Sequence, residues 1–437
     1  MKFTKFGKAL LMSAVSAAVI LSVTSCVQSY TVGFLYVTGT VTAQTSGSGI
    51  ISGFKIDHNT GKLSPINGLP VSSGGANPDR AVLISGSRFL YVLNRGANAS
   101  GGSVCTTANP CLNSNITQFA VGGNGVLTPQ QTFYTQGINP FRILADSSGQ
   151  YLYILDHDSP DNTQCHLALG TGVNACGDIT AFAINSTTGR LQLIVNAQVT
   201  AANGSALTYF PVPANPIDFV QTSGYFLTLS GTPATGDSVF PYAANNGQLT
   251  VSQNTSQQLN IAQATAIVSN SNYVYVLDDE PPALPNPTNA SSQILPFTTG
   301  TGGALTVQTG GIVADDPTLS NPINMLVESK GKFLYVANQG NNTSTTNTQS
   351  GLAGYVIDQS THQLSLIPGE PFGSGAGPQC LVEDPSNQFI YSADFNDSSV
   401  TGRVVDPNSG VLNNLRVASS YTLTGPATWC LVDGRTN

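Results

Sequence analysis

The sequence predicts an all-β protein: a seven-bladed β-propeller of four-stranded blades, its ring closed by the C-terminal strand pairing into the N-terminal blade. Three observations carry that expectation. A short aromatic strand motif occurs seven times, a strand–turn–strand segment follows it seven times, and a turn-and-strand segment precedes all copies but the first. From Phe34 to Phe389 the copies recur about every 59 residues, and four-stranded units repeating at tens of residues are the signature of a propeller. A single four-stranded sheet leaves an apolar face uncovered, so each unit must pack against its neighbours around a ring.

The elements follow in order. Strand A, innermost, starts from an Asn-Pro or Gly-Pro turn, as in "NPDRAVLISGSR" (77–88), "NPFRILADSSGQ" (139–150), "NPIDFVQTSG" (215–224), "NPINMLVESKGK" (321–332) and "GPQCLVEDPSNQ" (377–388); "AQATAIVSNSN" (262–272) lacks the proline. Strand B is "FLYV" at 34–37, 89–92 and 333–336, "YLYI" at 151–154, "YVYV" at 273–276 and "FIYS" at 389–392, with "YFLT" (225–228) a weaker copy. Strands C and D flank a Gly or Asn turn, from "ISGFKIDHNTGKL" (51–63) to "VTGRVVDPNSGVL" (400–412). Each run is short and bounded by turn formers. The chain enters at "FLYV" without a preceding strand A, and the missing part stands at the other end as "GPATWCLVDGRTN" (425–437). Pairing of this last strand with the first three leaves no open sheet edge.

Direction alternates along an antiparallel blade, so the A–B and C–D turns share one rim and the B–C and D–A loops the other. The first set is tight. The long insertions, 94–115, 156–178, 195–215, 278–293, 309–321 and 338–351, all fall on the second rim. Long loops on a rigid scaffold are where binding is usually built.

The first 25 residues read as a lipoprotein signal peptide: Lys2, Lys5 and Lys8, then an apolar run from Ala9 to Val23 that is short for a membrane span, then "VTSC" ending at Cys26. Cleavage would leave Cys26 as a lipid-modified N-terminus, residues 26–32 as a tether and 33–437 as one propeller domain. Val27 after that cysteine points to the outer rather than the inner membrane. The six residues 27–32 that join the lipid-bearing cysteine to strand B reach about 20 Å and enter from the tight-turn rim, which turns the loop face away from the membrane.

The formal net charge of −8 becomes −11 once the three leader lysines are removed. That argues against nucleic acid and against anionic lipid surfaces, leaving the lipid anchor as the membrane contact. A monomer is expected. Six cysteines remain beyond Cys26. Cys105 with Cys111, and Cys165 with Cys176, each lie in one B–C loop and suit local disulfides in an oxidising compartment. Cys380 and Cys430 stand on the inner strands of adjacent blades 7 and 1; they are either a bond locking the closure or two buried thiols. No Cys-x-x-Cys pair favours a metal, and no cofactor motif is present.

Two residues beyond the turn proline, near the loop-rim end of strand A, stand Arg80, Arg142, Asp218, Asn324, Cys380 and Thr428. Arg80 and Arg142 fall in adjacent blades, and two guanidiniums can hold a carboxylate or phosphate. The alternative is a polar channel lining, with the arginines bonded to carbonyls or to Asp218. A ligand site at this mouth therefore comprises Arg80, Arg142, Asp218 and Asn324.

The repeat resembles the YVTN type and the lactonase family of seven-bladed propellers, which includes bacterial 6-phosphogluconolactonase. The residues that carry the resemblance are "YVLN" (91–94), "YVAN" (335–338) and "GPQCLVEDPSNQFIYSADF" (377–395). The resemblance implies a sugar-acid lactone as ligand class. It also exposes departures: Gln379 and Cys380 stand where the family typically has Arg and His, and Asp394-Phe395 where a Glu often occurs. His58 and His362 fall on C–D turns at the other rim, so a general base would have to be His157, Asp156 or Asp158. These features predict a lipid-anchored cell-envelope protein that binds or scaffolds through its loop face, with an envelope protein or a small sugar acid or lactone as partner. The alternative is a lactone hydrolase with its site at the channel mouth.

Overall fold

The computed structural model describes residues 30–41, 48–84, 88–201, 203–253, 256–281, 291–308, 310–341 and 349–434. The signal segment 1–25, Cys26 and residues 27–29 of the tether lie outside the described residues.

Seven antiparallel sheets form the ring. Their innermost strands, in chain order from blade 2 to blade 7, are Pro78–Leu83, Ile138–Ala145, Pro216–Gln221, Ala264–Asn270, Pro322–Val327 and Pro378–Glu383. Blade 1 takes its inner strand from the far end of the chain: Ala427–Asp433 pairs antiparallel with Thr31–Thr40, from Phe34↔Asp433 to Gly39↔Ala427. The closure is as the sequence implied. Five of the blades add an unanticipated fifth strand, a short run such as Val71–Ala76 or Phe210–Pro213 that returns from strand D along the loop-rim half of strand C.

The apolar interior is divided into seven clusters, each lying between two neighbouring blades, including blades 7 and 1. The strand B motif is written for this interface. Its tyrosine is fully buried and donates its hydroxyl to a turn carbonyl of the next blade: Tyr36 to Gly125 at 2.8 Å, Tyr91 to Gly189 at 2.5 Å, Tyr335 to Gly410 at 2.7 Å and Tyr391 to Gly61 at 2.7 Å. The motif's leading phenylalanine lies against the same glycine. A Cβ there would stand 2.5–2.6 Å from the ring of Phe34, Phe89, Phe333 or Phe389, and the glycines have φ of +66° to +83°. Aromatic and glycine are thus one contact, made across the blade boundary. In blade 6 the C–D turn carries His362 at φ 57° instead, and Tyr273 stacks on its ring at 3.5 Å between centroids.

All three expected disulfides are formed: Cys105–Cys111, Cys165–Cys176 and Cys380–Cys430, with Cα separations of 5.2, 5.8 and 5.8 Å. The first two staple the B–C loops of blades 2 and 3. The third joins the inner strands of blades 7 and 1, so the ring is closed covalently as well as by strand pairing. Among the described residues no helix is long and apolar enough to cross a membrane.

Candidate functional site

Each inner strand begins with the same irregularity. The pairing of strand A with strand B skips one residue at the loop rim, at Asp79, Phe141, Ile217, Thr265, Ile323, Gln379 and Thr428 in blades 2 to 7 and 1. A bulge re-aims side chains, and seven of them ring the channel mouth. The turn before it is held by a residue in left-handed conformation: Asn77, Asn139, Asn215, Asn321 or Gly377, with φ between 49° and 70°. The side chain of Asn77 donates to the Gly96 carbonyl at 2.7 Å, and that of Asn139 to Asp158 at 2.8 Å, which ties each turn to the neighbouring B–C loop.

Just inside the bulges stand Arg80, Arg142, Asp218, Ala266, Asn324, Cys380 and Trp429. The last corrects the sequence alignment. Counting from the proline gives Thr428. Strand pairing places Thr38 opposite Trp429 and Ala427 in the place that proline takes elsewhere. A one-residue slip turns every side chain to the other face. It aims Cys430 toward blade 7, where Cys380 waits, and Trp429 toward blade 2.

The residues at this level join blade to blade. Arg142 stands 3.2 Å from Asp218 of blade 4 and 3.5 Å from Asp79 of blade 2, and it also donates to the Phe141 carbonyl at 3.1 Å. Asp218 accepts the Ile267 backbone N–H of blade 5 at 3.2 Å. Asp79 is shared with Arg95 at 4.0 Å. Arg80 differs: its guanidinium lies 4.1 Å over the Trp429 ring of blade 1, and among the described residues no carboxylate ion-pairs with it. Burial, then repulsion by Arg142, brings its pKa down to about 10, against the pull of Asp218 and Asp79. It remains a full cation at neutral pH. Arg80, Arg142, Gln379, Thr428 and Trp429 border a mouth pocket of about 220 Å³. Arg80, Arg142, Asp218 and Asn324 also border a cavity of about 500 Å³ that continues down the channel. The four ligand candidates are thereby brought together. Trp429 and Asp79 join them, and neither was legible from the repeat count.

The acid–base candidates lie elsewhere. Asp156 is wholly buried, directly opposite Asp178 across strands B and C of blade 3. Burial pushes Asp156 up to about 7, against bonds from Thr135 and Thr180, and pushes Asp178 well up, with the Asp156 charge adding to it. Asp156 Oδ1 and Asp178 Oδ2 have no other partner among the described residues, the arrangement of two carboxyls sharing one proton. Asp158 faces the loops instead. Despite burial, bonds from His157, Thr107 and Asn139 hold it below the usual carboxylate range. His157 Nδ1 is 3.2 Å from Asp158 Oδ1, its side chain is 39% exposed, and its ring packs at 6.3 Å against Phe141, which separates it from Arg142.

The sequence profile of the family described as "Lactonase, 7-bladed beta-propeller" matches residues 34–205 and 291–428, well over half of the chain. Among solved structures, a putative 6-phosphogluconolactonase from Bacteroides fragilis is similar at 16% identity and a TM-score of 0.65, over 92% of this chain and 98% of that one. A putative 6-phosphogluconolactonase from Bacteroides uniformis is similar at 13% identity and 0.64, over 92% and 100%. The periplasmic gluconolactonase PpgL of Pseudomonas aeruginosa is similar at 16% identity and 0.62, over 92% and 98%. At such identities the likeness is one of fold. No curated protein sequence matches the chain.

Proposed function

The chain belongs to the lactonase family of seven-bladed β-propellers, and from that premise we propose that it is an exported binding protein that takes a small sugar acid or its lactone at the loop-rim mouth of its channel. The observation that carries this reading is the state of Arg80. The other charged groups at the mouth are paired with one another, whereas Arg80 is a partly buried cation stacked on an indole and bordering an open pocket. A carboxylate or phosphate is the group that such a guanidinium recognises. Three disulfides suit an oxidising compartment, and attachment through a lipid on Cys26 belongs to the same proposal, as does an envelope partner on the loop face.

Calorimetric titration of gluconate, 6-phosphogluconate and their lactones tests it. A charge-assisted contact contributes about 1.5–3 kcal/mol, so Arg80→Ala should weaken binding by about ten- to a hundredfold. No heat with the wild type, or equal affinity in Arg80→Ala, would remove the ligand and leave Arg80 as channel lining. A second reading, lactone hydrolysis, is favoured by the His157–Asp158 pair, in which the carboxylate orients an imidazole that faces the loops. Turnover that His157→Asn abolishes would decide for it.

A further inference from the structure

The channel below the mouth is not polar. Two residues along strand A from the arginine level, side chains point the same way. In blades 2 to 7 the residue there is Val82, Leu144, Val220, Val268, Leu326 and Val382. Each is only partly buried and forms the inner lip of an interblade cluster. Five of them border the cavity of about 500 Å³ that Arg80 and Arg142 border above. At its other end the lining turns polar again, at Ser147, Gln221 and Ser269. From Arg142 to Ser147 the strand path is roughly 16 Å at about 3.3 Å per residue. The result is an aliphatic collar with a partly buried cation at one end that has no carboxylate partner among the described residues, in a volume within the roughly 300–1,000 Å³ range of ligand sites.

We propose that this channel binds a medium-chain alkyl carboxylate, its head on Arg80 and its chain threaded through the collar. The collar offers apolar area and no hydrogen-bonding side chain, which excludes a polyol from this depth but suits methylenes. The guanidinium above fixes the polarity of the ligand, head to the loop rim. The head contact rests on the anion site proposed above; the chain contact does not.

Trp429, the chain's single tryptophan, lies under Arg80 and borders both the mouth and the channel. Its fluorescence therefore reads occupancy directly. The wild type is titrated with acetate, hexanoate, octanoate, decanoate, octanol and gluconate, all below micelle-forming concentrations. The expected result is affinity rising about fourfold per added methylene, octanol binding more weakly than octanoate, and loss of that difference in Arg80→Ala. Val220→Phe/Val268→Phe fills the collar and should abolish the chain-length gain; an unchanged melting curve certifies its fold. Equal affinity for acetate and decanoate alongside gluconate binding would overturn the channel proposal and leave the mouth reading standing. Silence with every ligand would overturn both. A chain-length gain that survives in the collar-filled variant would also overturn the channel proposal, because the chain would then lie elsewhere.

Discussion

Replacing Asp178 by Asn tests how the buried carboxyl pair of blade 3 couples the fold to pH. Unfolded, Asp156 and Asp178 ionise as ordinary carboxylates, near 3.8. Folded, burial raises Asp156 to about 7, and burial with the added charge of Asp156 raises Asp178 well above its usual value. The groups that act on the pair are the Thr135 and Thr180 hydroxyls, the Gly137 backbone, the Tyr209 phenol and, from the loop side, the charge of Asp158. None is a cation, so nothing offsets a second negative charge. The folded protein thus binds more protons than the unfolded one above pH 4, and stability must fall as pH rises. It is fully present below the unfolded pKa and is lost toward the folded one. Asparagine removes the proton that Asp178 retains and keeps a donor facing Asp156. While that proton is held, the variant gains on the wild type by about 1.4 kcal/mol per pH unit. From pH 4 to pH 7 the gap reaches on the order of 4 kcal/mol, or roughly 5 °C in Tm for a chain of this size. Denaturant midpoints at half-unit pH steps measure it. If the two proteins keep a constant difference across that range, the shared proton does not exist and the reasoning fails.

Other outcomes follow from the closure and the anchor. Cys380→Ser/Cys430→Ser opens a link of sequence separation 50, for which chain entropy gives about 4 kcal/mol of lost stability. The denaturant midpoint should drop, and added reductant should then have no effect on closure; a midpoint equal to the oxidised wild type would exclude a stabilising role. Deleting residues 425–437 removes the inner strand of blade 1, exposes two sheet edges and should abolish cooperative unfolding, as followed by calorimetry; an unchanged transition would contradict the closure as the source of cooperativity. Cys26→Ser should release the protein from the membrane fraction, whereas unchanged fractionation without lipid labelling of the wild type would refute the anchor.

Blade number, strand order, closure and the rim that carries the loops were all readable from the chain, because each rests on a local pattern repeated at a fixed spacing. An aromatic three residues wide, an Asn-Pro turn and a Gly turn are short-range signals, and seven copies average out the weak one at 225–228. The local disulfides were legible for the same reason, their cysteines lying 6 and 11 residues apart. The electrostatics of the site were not, because they arise between blades that only the closed ring brings together. Arg142 meets Asp218 across 76 residues of chain, and Trp429 meets Arg80 only after the last strand has paired with the first. Asp156 looked like a loop carboxylate in sequence; the length of strand B, which runs on to Asp158, draws it into the sheet and opposite Asp178. The one-residue difference in the blade 1 pairing is the sharpest case. Counting from the turn proline aligns Thr428 with Cys380; strand period is two, so that register would turn Cys430 toward blade 2 and away from its partner. Backbone pairing and the disulfide geometry across the closure decide the face, and with it the indole beneath Arg80.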